Sequence, residues 1–267
     1  KILPNMGIGA LSQADAGECC VSVIGVVSAL KSEASCLMNR RFPIGRVVNI
    51  GARNRLCLSG MGDAAAQVAA LRLQEYGVNA LVSFGVAAAL DNRLIPGDLV
   101  LPELIVDGDE RWPVNLEWRN QLEQLLPSQL TIVGGVLASS SIPLTSRETK
   151  LALGELAGAC AADMESAAIA RVAANAGMPF IAIRAIVDPI DFSPPEALMS
   201  AVQPDGGVDM LRLMALLMNR SVSFKTLIHL GIGMHAARST LSCIVRTAGA
   251  GFASEALNLE NRDEEEG

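Results

Sequence analysis

Two carboxylates stand where this chain could do chemistry. Glu165 lies in the run Ala-Asp-Met-Glu-Ser-Ala-Ala at 162–168, at the mouth of a helix of small residues. Asp188 lies where the apolar run at 180–187 gives out. Acids held at element ends beside apolar walls are what a sugar hydroxyl and a leaving base need: one accepts hydroxyl hydrogen bonds, the other gives a proton. A third acid, Glu33, follows a β-branched strand at the start of a helix. Each also has a plainer explanation. Glu33 suits an exposed first helical turn, where the dipole favours an acid. Glu165 suits a helix cap, Asp188 a cap on the turn at 189–191, and Arg184 a structural ion pair.

The elements that must position these acids follow from periodicity. A buried strand is expected at 21–27, with a helix over 28–37. Runs at 47–50 and 55–58 flank Gly-Ala-Arg-Asn, a hairpin pattern. An Ala/Leu-rich helix at 64–76 stops at Gly77, and a strand at 79–84 closes on Gly85. A turn at 95–98 precedes a strand at 99–101. A strand at 132–138, helices at 147–157 and 164–176 and a strand at 180–187 complete the pattern. Strands alternating with helices predict an α/β fold: a three-layer sandwich with a central mixed, twisted sheet between helices.

Composition narrows the function. Of 267 residues, 51% are hydrophobic and 3% aromatic, and the mean hydropathy is +0.37. Such an aliphatic excess suits a buried sheet under Ala-rich helices. The net charge of −7 argues against nucleic-acid binding. Six cysteines are too sparse for a disulfide scaffold, none forms a C-x-x-C pair, and the two histidines both come late. No metal or cofactor is expected, and no apolar run is long enough to span a membrane. The start lacks the pattern of a secretory signal, so a reduced, cytoplasmic protein is expected.

Four blocks resemble the purine nucleoside phosphorylase superfamily, and most closely its methylthioadenosine/S-adenosylhomocysteine nucleosidase branch. They are the strand and acid at 23–33, Ser-Gly-Met-Gly at 59–62, Ser-Phe-Gly-Val-Ala-Ala-Ala-Leu at 83–90 with Pro-Gly-Asp at 96–98, and Asp-Met-Glu at 163–165 with 182–188. The resemblance implies cleavage of a ribose–adenine bond through an oxocarbenium-like sugar. It implies that Asp188 protonates the leaving adenine, its apolar approach raising its pKa. Glu33 would orient the attacking water and Glu165 would bind ribose hydroxyls. Met164 would pack on the ribose, Gly85 and Ala87 would line the substrate, and Arg184 would lie near the site, paired with a carboxylate. A homodimer is implied as well.

Departures from the family pattern shape the expectation. Ala88 and Ala89 replace two glycines, Val187 precedes Asp188 where serine is usual, and the pocket aromatic is absent near 139–142, leaving aliphatic walls for the base. Ser83 and Val86 occupy the positions where phosphorylases carry phosphate ligands. Water is therefore favoured over phosphate, with Arg53 or Arg55 as substitutes if phosphate is used. The chain divides into an N-terminal extension at 1–20, a core at 21–205, an apolar and basic helical segment at 206–252, and an acidic, disordered tail at 253–267. The third part resembles the hopanoid-associated phosphorylase/nucleosidase group, which implies a lipid-linked adenine nucleoside, adenosylhopane, as substrate. It leaves two placements open for that segment: packed on the core, or at the inner surface of a membrane. A methylthioadenosine/S-adenosylhomocysteine nucleosidase, a purine nucleoside phosphorylase and a non-catalytic nucleoside binder are the alternatives.

Overall fold

The Ile-Gly-Val-Val-Ser run folds as a fully buried strand, β1 (Ile24–Ser28), and turns at once into a short helix, α1 (Lys31–Leu37). The computed structural model describes residues 22–40, 42–192, 216, 223–254 and 257. The N-terminal extension, the expected helix around 211–218 apart from Leu216, and the acidic run near the end lie outside the described residues. The hairpin of β2 (Val47–Ile50) and β3 (Asn54–Leu58) is antiparallel, as the pattern predicts. Next come α2 (Asp63–Glu75), β4 (Ala80–Ala89), β5 (Leu99–Val100), β6 (Leu104–Asp107), β7 (Glu110–Pro113) and α3 (Leu116–Leu125). Then follow β8 (Ile132–Val133), β9 (Val136–Ser139), α4 (Arg147–Ala157), β10 (Ala161–Asp163), α5 (Ser166–Asn175), β11 (Phe180–Asp188) and the long α6 (Phe224–Ala248).

The strands form one mixed sheet, with helices packed against it. The parallel set β3-β1-β4-β11 makes its centre, and β10 joins β4 antiparallel. α2 packs against α5, while α6 lies on β11 and touches α1 and α3.

Three elements differ from expectation for identifiable reasons. The run at 132–138 is two strands, because Gly135 takes a φ of 92° that bends the chain. β8 then follows β5, and β9 sits between β6 and β10. The segment 104–125 yields β6, β7 and α3, a helix with few apolar residues, of which Trp118 and Leu122 are fully buried while Leu116 and Leu125 are exposed. The strand expected to close on Gly85 continues through it to Ala89. Packing also continues past residue 252. Phe252 and Leu257 are buried, and the Trp118 indole N–H donates to the Phe252 carbonyl at 2.6 Å.

A split in the sheet creates the site. Along one edge β4 pairs with β1 only through Ser83, and with β10 only from Ala88. Between them the strand is left unpaired on that edge, and the ends of β1 and β10 diverge around the opening. On its other edge β4 pairs with β11 up to Ile186, where a bulge at Val187 shifts the register before Asp188 meets Ala88. Bulges re-aim side chains, and this one falls directly before the acid.

Candidate active site

A cavity of about 260 Å³ fills the split. Glu33, Asp163, Met164, Glu165 and Asp188 reach it, and Val86, Ala87 and Ala88 of β4 also form its wall. The rest is apolar apart from Ser140: Met61, Ile142, Pro143 and Leu144 line it, with Leu230 and Met234 contributed by α6. No aromatic ring lines it among the described residues, in keeping with aliphatic walls for a base.

Glu33 is 1% exposed, which rules out the exposed first-turn explanation. Its Oε2 accepts from the Ser28 hydroxyl at 3.0 Å and from the Ala29 and Leu30 N–H groups at 3.0 and 2.9 Å. The side chain thus caps α1 from inside the protein. Among the described residues Oε1 accepts only from Val86 N–H at 2.9 Å, a donor freed by the sheet split, and so keeps a lone pair for another partner. Burial pushes this carboxyl above its ordinary range, while the Arg184 charge and the backbone donors pull against it.

Glu165 precedes α5, but its side chain makes no cap hydrogen bond to that helix. Capping falls to Asp163, which accepts from the Ser166 N–H and the Ser166 hydroxyl. Glu165 is left to face the cavity, its Oε1 accepting from Gly62 N–H at 2.8 Å and its Oε2 4.0 Å from Arg184. Burial pushes its carboxyl up to about 7, against the Arg184 charge and with the help of neighbouring Asp163. Asp188 makes an ion pair of 2.5 Å with Lys150. Burial raises its pKa, and the Lys150 ammonium opposes the rise.

Arg184 and Gly85 do not reach the cavity; they form the layer beneath it. The Arg184 guanidinium pairs with Asp163 at 2.7 Å and donates to the Ser83 hydroxyl at 2.5 Å and the Ser166 hydroxyl at 3.1 Å. A methyl group on Gly85 would sit 2.5 Å from Arg184 Nη1 and 2.6 Å from Glu33 Oε1. The glycine is thus the condition for the guanidinium and the acid to approach β4. Gly85→Ala is expected to lower stability by about 1–3 kcal/mol and to disturb both charged groups, measured by denaturant unfolding and by turnover of the same sample. An unchanged unfolding midpoint would contradict this packing.

Sequence reasoning brought Glu33, Glu165, Met164, Ala87 and Asp188 to one place. It passed over Lys150, gave no role to Asp163, Ser28 or Ser166, and read Ser83 only as matching a phosphate-ligand position of the phosphorylases. Asp163 alone carried a signal, an acid three residues before a helical Ser-Ala-Ala run. Among the described residues no group of three or more His, Cys, Asp or Glu side chains could hold a metal ion, and no helix is long and apolar enough to cross a membrane.

The chain has counterparts in sequence. The family model of the phosphorylase superfamily matches residues 37–205. The chain belongs to that superfamily. A 5′-methylthioadenosine/S-adenosylhomocysteine nucleosidase of Buchnera aphidicola is 26% identical over 202 residues, covering 64% of this chain and 79% of the relative. The same fold occurs in the 5′-methylthioadenosine/S-adenosylhomocysteine nucleosidase of Neisseria meningitidis, solved with methylthio-immucillin-A (TM-score 0.63, 19% identity, 84% of this chain and 97% of that one). The futalosine hydrolase of Helicobacter pylori shares it too (TM-score 0.60, 18% identity, 85% and 98%). Within this superfamily member, the cavity bordered by Glu33, Asp163, Glu165 and Asp188 is the candidate active site.

Proposed function

We propose that the chain hydrolyses the N-glycosidic bond of an adenine nucleoside bearing a bulky apolar 5′ substituent. The observation that carries this reading is the convergence of Glu33, Glu165 and Asp188 on one cavity whose remaining walls, apart from Ser140 and Asp163, are apolar. As the glycosidic bond breaks, its electron pair passes to the base, and Asp188 supplies the proton that makes adenine a competent leaving group. The sugar left behind is oxocarbenium-like. Glu165 holds the ribose hydroxyls beside that positive charge, and Met164 packs on the sugar. Glu33 offers Oε1 to the water that adds to the anomeric carbon. Water is favoured over phosphate because the arginine beneath the site, Arg184, is committed to Asp163, Ser83 and Ser166.

The 5′ group is read from the wall that α6 contributes. Leu230 and Met234 line the cavity, while Phe224, Ile228 and Ile232 on the same helix are exposed at four-residue spacing. A helix that is apolar on both the cavity and the solvent sides, carries Lys225, Arg238 and Arg246 and has no acid suits delivery of a lipid-linked nucleoside such as adenosylhopane from a membrane surface. A second reading, cleavage of soluble methylthioadenosine or S-adenosylhomocysteine, is favoured by the Buchnera aphidicola relative.

Adenine release by the purified chain separates these readings. It is measured on methylthioadenosine, on S-adenosylhomocysteine and on adenosylhopane in vesicles, each with and without phosphate. The lipid nucleoside is expected to be preferred, with free sugar as product. Cleavage of the soluble nucleosides alone would remove the lipid reading, sugar 1-phosphate would replace hydrolysis by phosphorolysis, and no release from any substrate would leave a nucleoside binder.

A further inference from the structure

Lys150 has no exposure to solvent, although it sits in the first turn of α4, a helix whose other residues are at least partly exposed. Its ammonium lies among three oxygens: Asp188 Oδ2 at 2.5 Å, the Pro189 carbonyl at 2.9 Å and the Phe192 carbonyl at 2.7 Å. An ammonium has three N–H donors and no acceptor, so each hydrogen has one partner. Stability is a weak reason to keep such a pair, because apolar residues of similar volume often serve as well or better in the same place. All three acceptors belong to the end of β11 and the loop that follows. Among the described residues no donor reaches Asp188 Oδ1, while the Asp188 side chain borders the cavity. The Phe192 ring stacks on His229 of α6, with centroids 5.4 Å apart and planes 15° apart. The same ammonium thereby ties the acid to the helix that supplies Leu230 and Met234.

We propose that Lys150 is the positioning residue of the leaving-group acid: it clamps Asp188 through Oδ2, leaves Oδ1 for the base, and provides the charge against which the carboxylate forms. This rests on the reading of Asp188 as that acid. In the step, the glycosidic electron pair moves to the base and the Oδ1 proton moves to a base nitrogen. The carboxylate left behind pairs with the ammonium, and Lys150 neither gains nor loses a proton. Water then delivers hydroxide to the anomeric carbon, and the proton it releases restores the acid. Burial favours the protonated form of Asp188 and the Lys150 charge favours release of the proton, the balance a general acid requires. The other titratable or charged groups nearby are the Arg147–Asp191 ion pair on the same helix and loop, Glu33, Asp163 and Glu165 around the cavity with Arg184 beneath them, and His229 on α6.

The test follows the Asp188 carboxyl directly by carbon-13 NMR of labelled aspartate, its signal assigned by its loss in Asp188→Asn. In Lys150→Met the titration midpoint is expected to rise by about one unit or more, and in Lys150→Arg to stay near the wild type. In parallel, kcat for adenine release from the best substrate is expected to fall about tenfold or more in Lys150→Met with little change in KM. The alkaline limb of the kcat profile should move up with the titration, and Lys150→Arg should recover part of the rate. If Lys150→Met does not fold, Lys150→Gln carries the same expectations. An active wild type with an unmoved Asp188 titration in the neutral variant overturns the Lys150 assignment alone. A wild type that releases adenine from no nucleoside overturns the reading of Asp188 and this proposal with it.

Discussion

Asp188→Asn is expected to lower kcat for adenine release by about 100- to 10,000-fold, the range spanned by loss of a general acid. The substitution is nearly isosteric, so the cavity wall and the bulge before it stay in place. The amide oxygen can still accept from Lys150, and the two carbonyl partners of that ammonium are untouched. What is lost is a proton that can leave with the base. KM should therefore change little, because the residue acts on the departing base more than on the bound nucleoside. A second signature follows from the raised pKa of Asp188. Wild-type kcat should decline as pH rises and Asp188 gives up its proton, and the residual rate of the variant should lack that limb. A variant that keeps wild-type kcat would remove Asp188 from the chemistry and leave its pairing with Lys150 as a structural feature only.

The parts of this site that could be read in the sequence are those whose residue type and element agree. Glu165 and Asp188 stand at boundaries marked by abrupt changes of pattern, from Asp-Met-Glu into small helical residues and from β-branched residues into Pro-Ile-Asp. Glu33 was visible as an acid in the first turn of a helix, but not as a buried one, because burial there depends on Val86 and Arg184, more than fifty residues away. Lys150 was hidden for the opposite reason. In Ser-Arg-Glu-Thr-Lys it looks like one more polar residue at a helix start, and only the loop at 189–192 folding over α4 makes it a buried cation. The split of β4 between β1 and β10 was also beyond local pattern. A ten-residue apolar strand reads the same whether its edge is paired throughout or, as here, open between Ser83 and Ala88. Even so, the order of strands and helices through β11 was largely legible, since buried parallel strands and Ala-rich helices carry strong periodic signals.

Glu165→Gln should separate two properties that the wild type couples. The amide can still accept from Gly62 N–H, so the local fold has no reason to change. The negative charge beside the ribose is gone, however, and kcat/KM is expected to fall about 100- to 1,000-fold, the scale of losing one preorganised electrostatic partner of the transition state. The pH dependence then identifies the group. With its carboxyl pushed up to about 7, Glu165 ionises in the free protein near neutrality. Wild-type kcat/KM should accordingly rise through an inflection near pH 7, and that limb should vanish in the variant. Stability should move in the other direction. A carboxyl whose pKa is raised by folding binds its proton more tightly in the folded than in the unfolded chain, where the value is about 4.3. Its destabilising contribution is thus absent below that value and grows as pH rises toward 7. Relative to the wild type, Glu165→Gln should therefore gain in Tm between pH 5 and pH 8. A Tm difference that stays constant across that interval, together with a retained kcat/KM limb, would show that another group titrates there and that Glu165 is not the carboxylate under strain in this cavity.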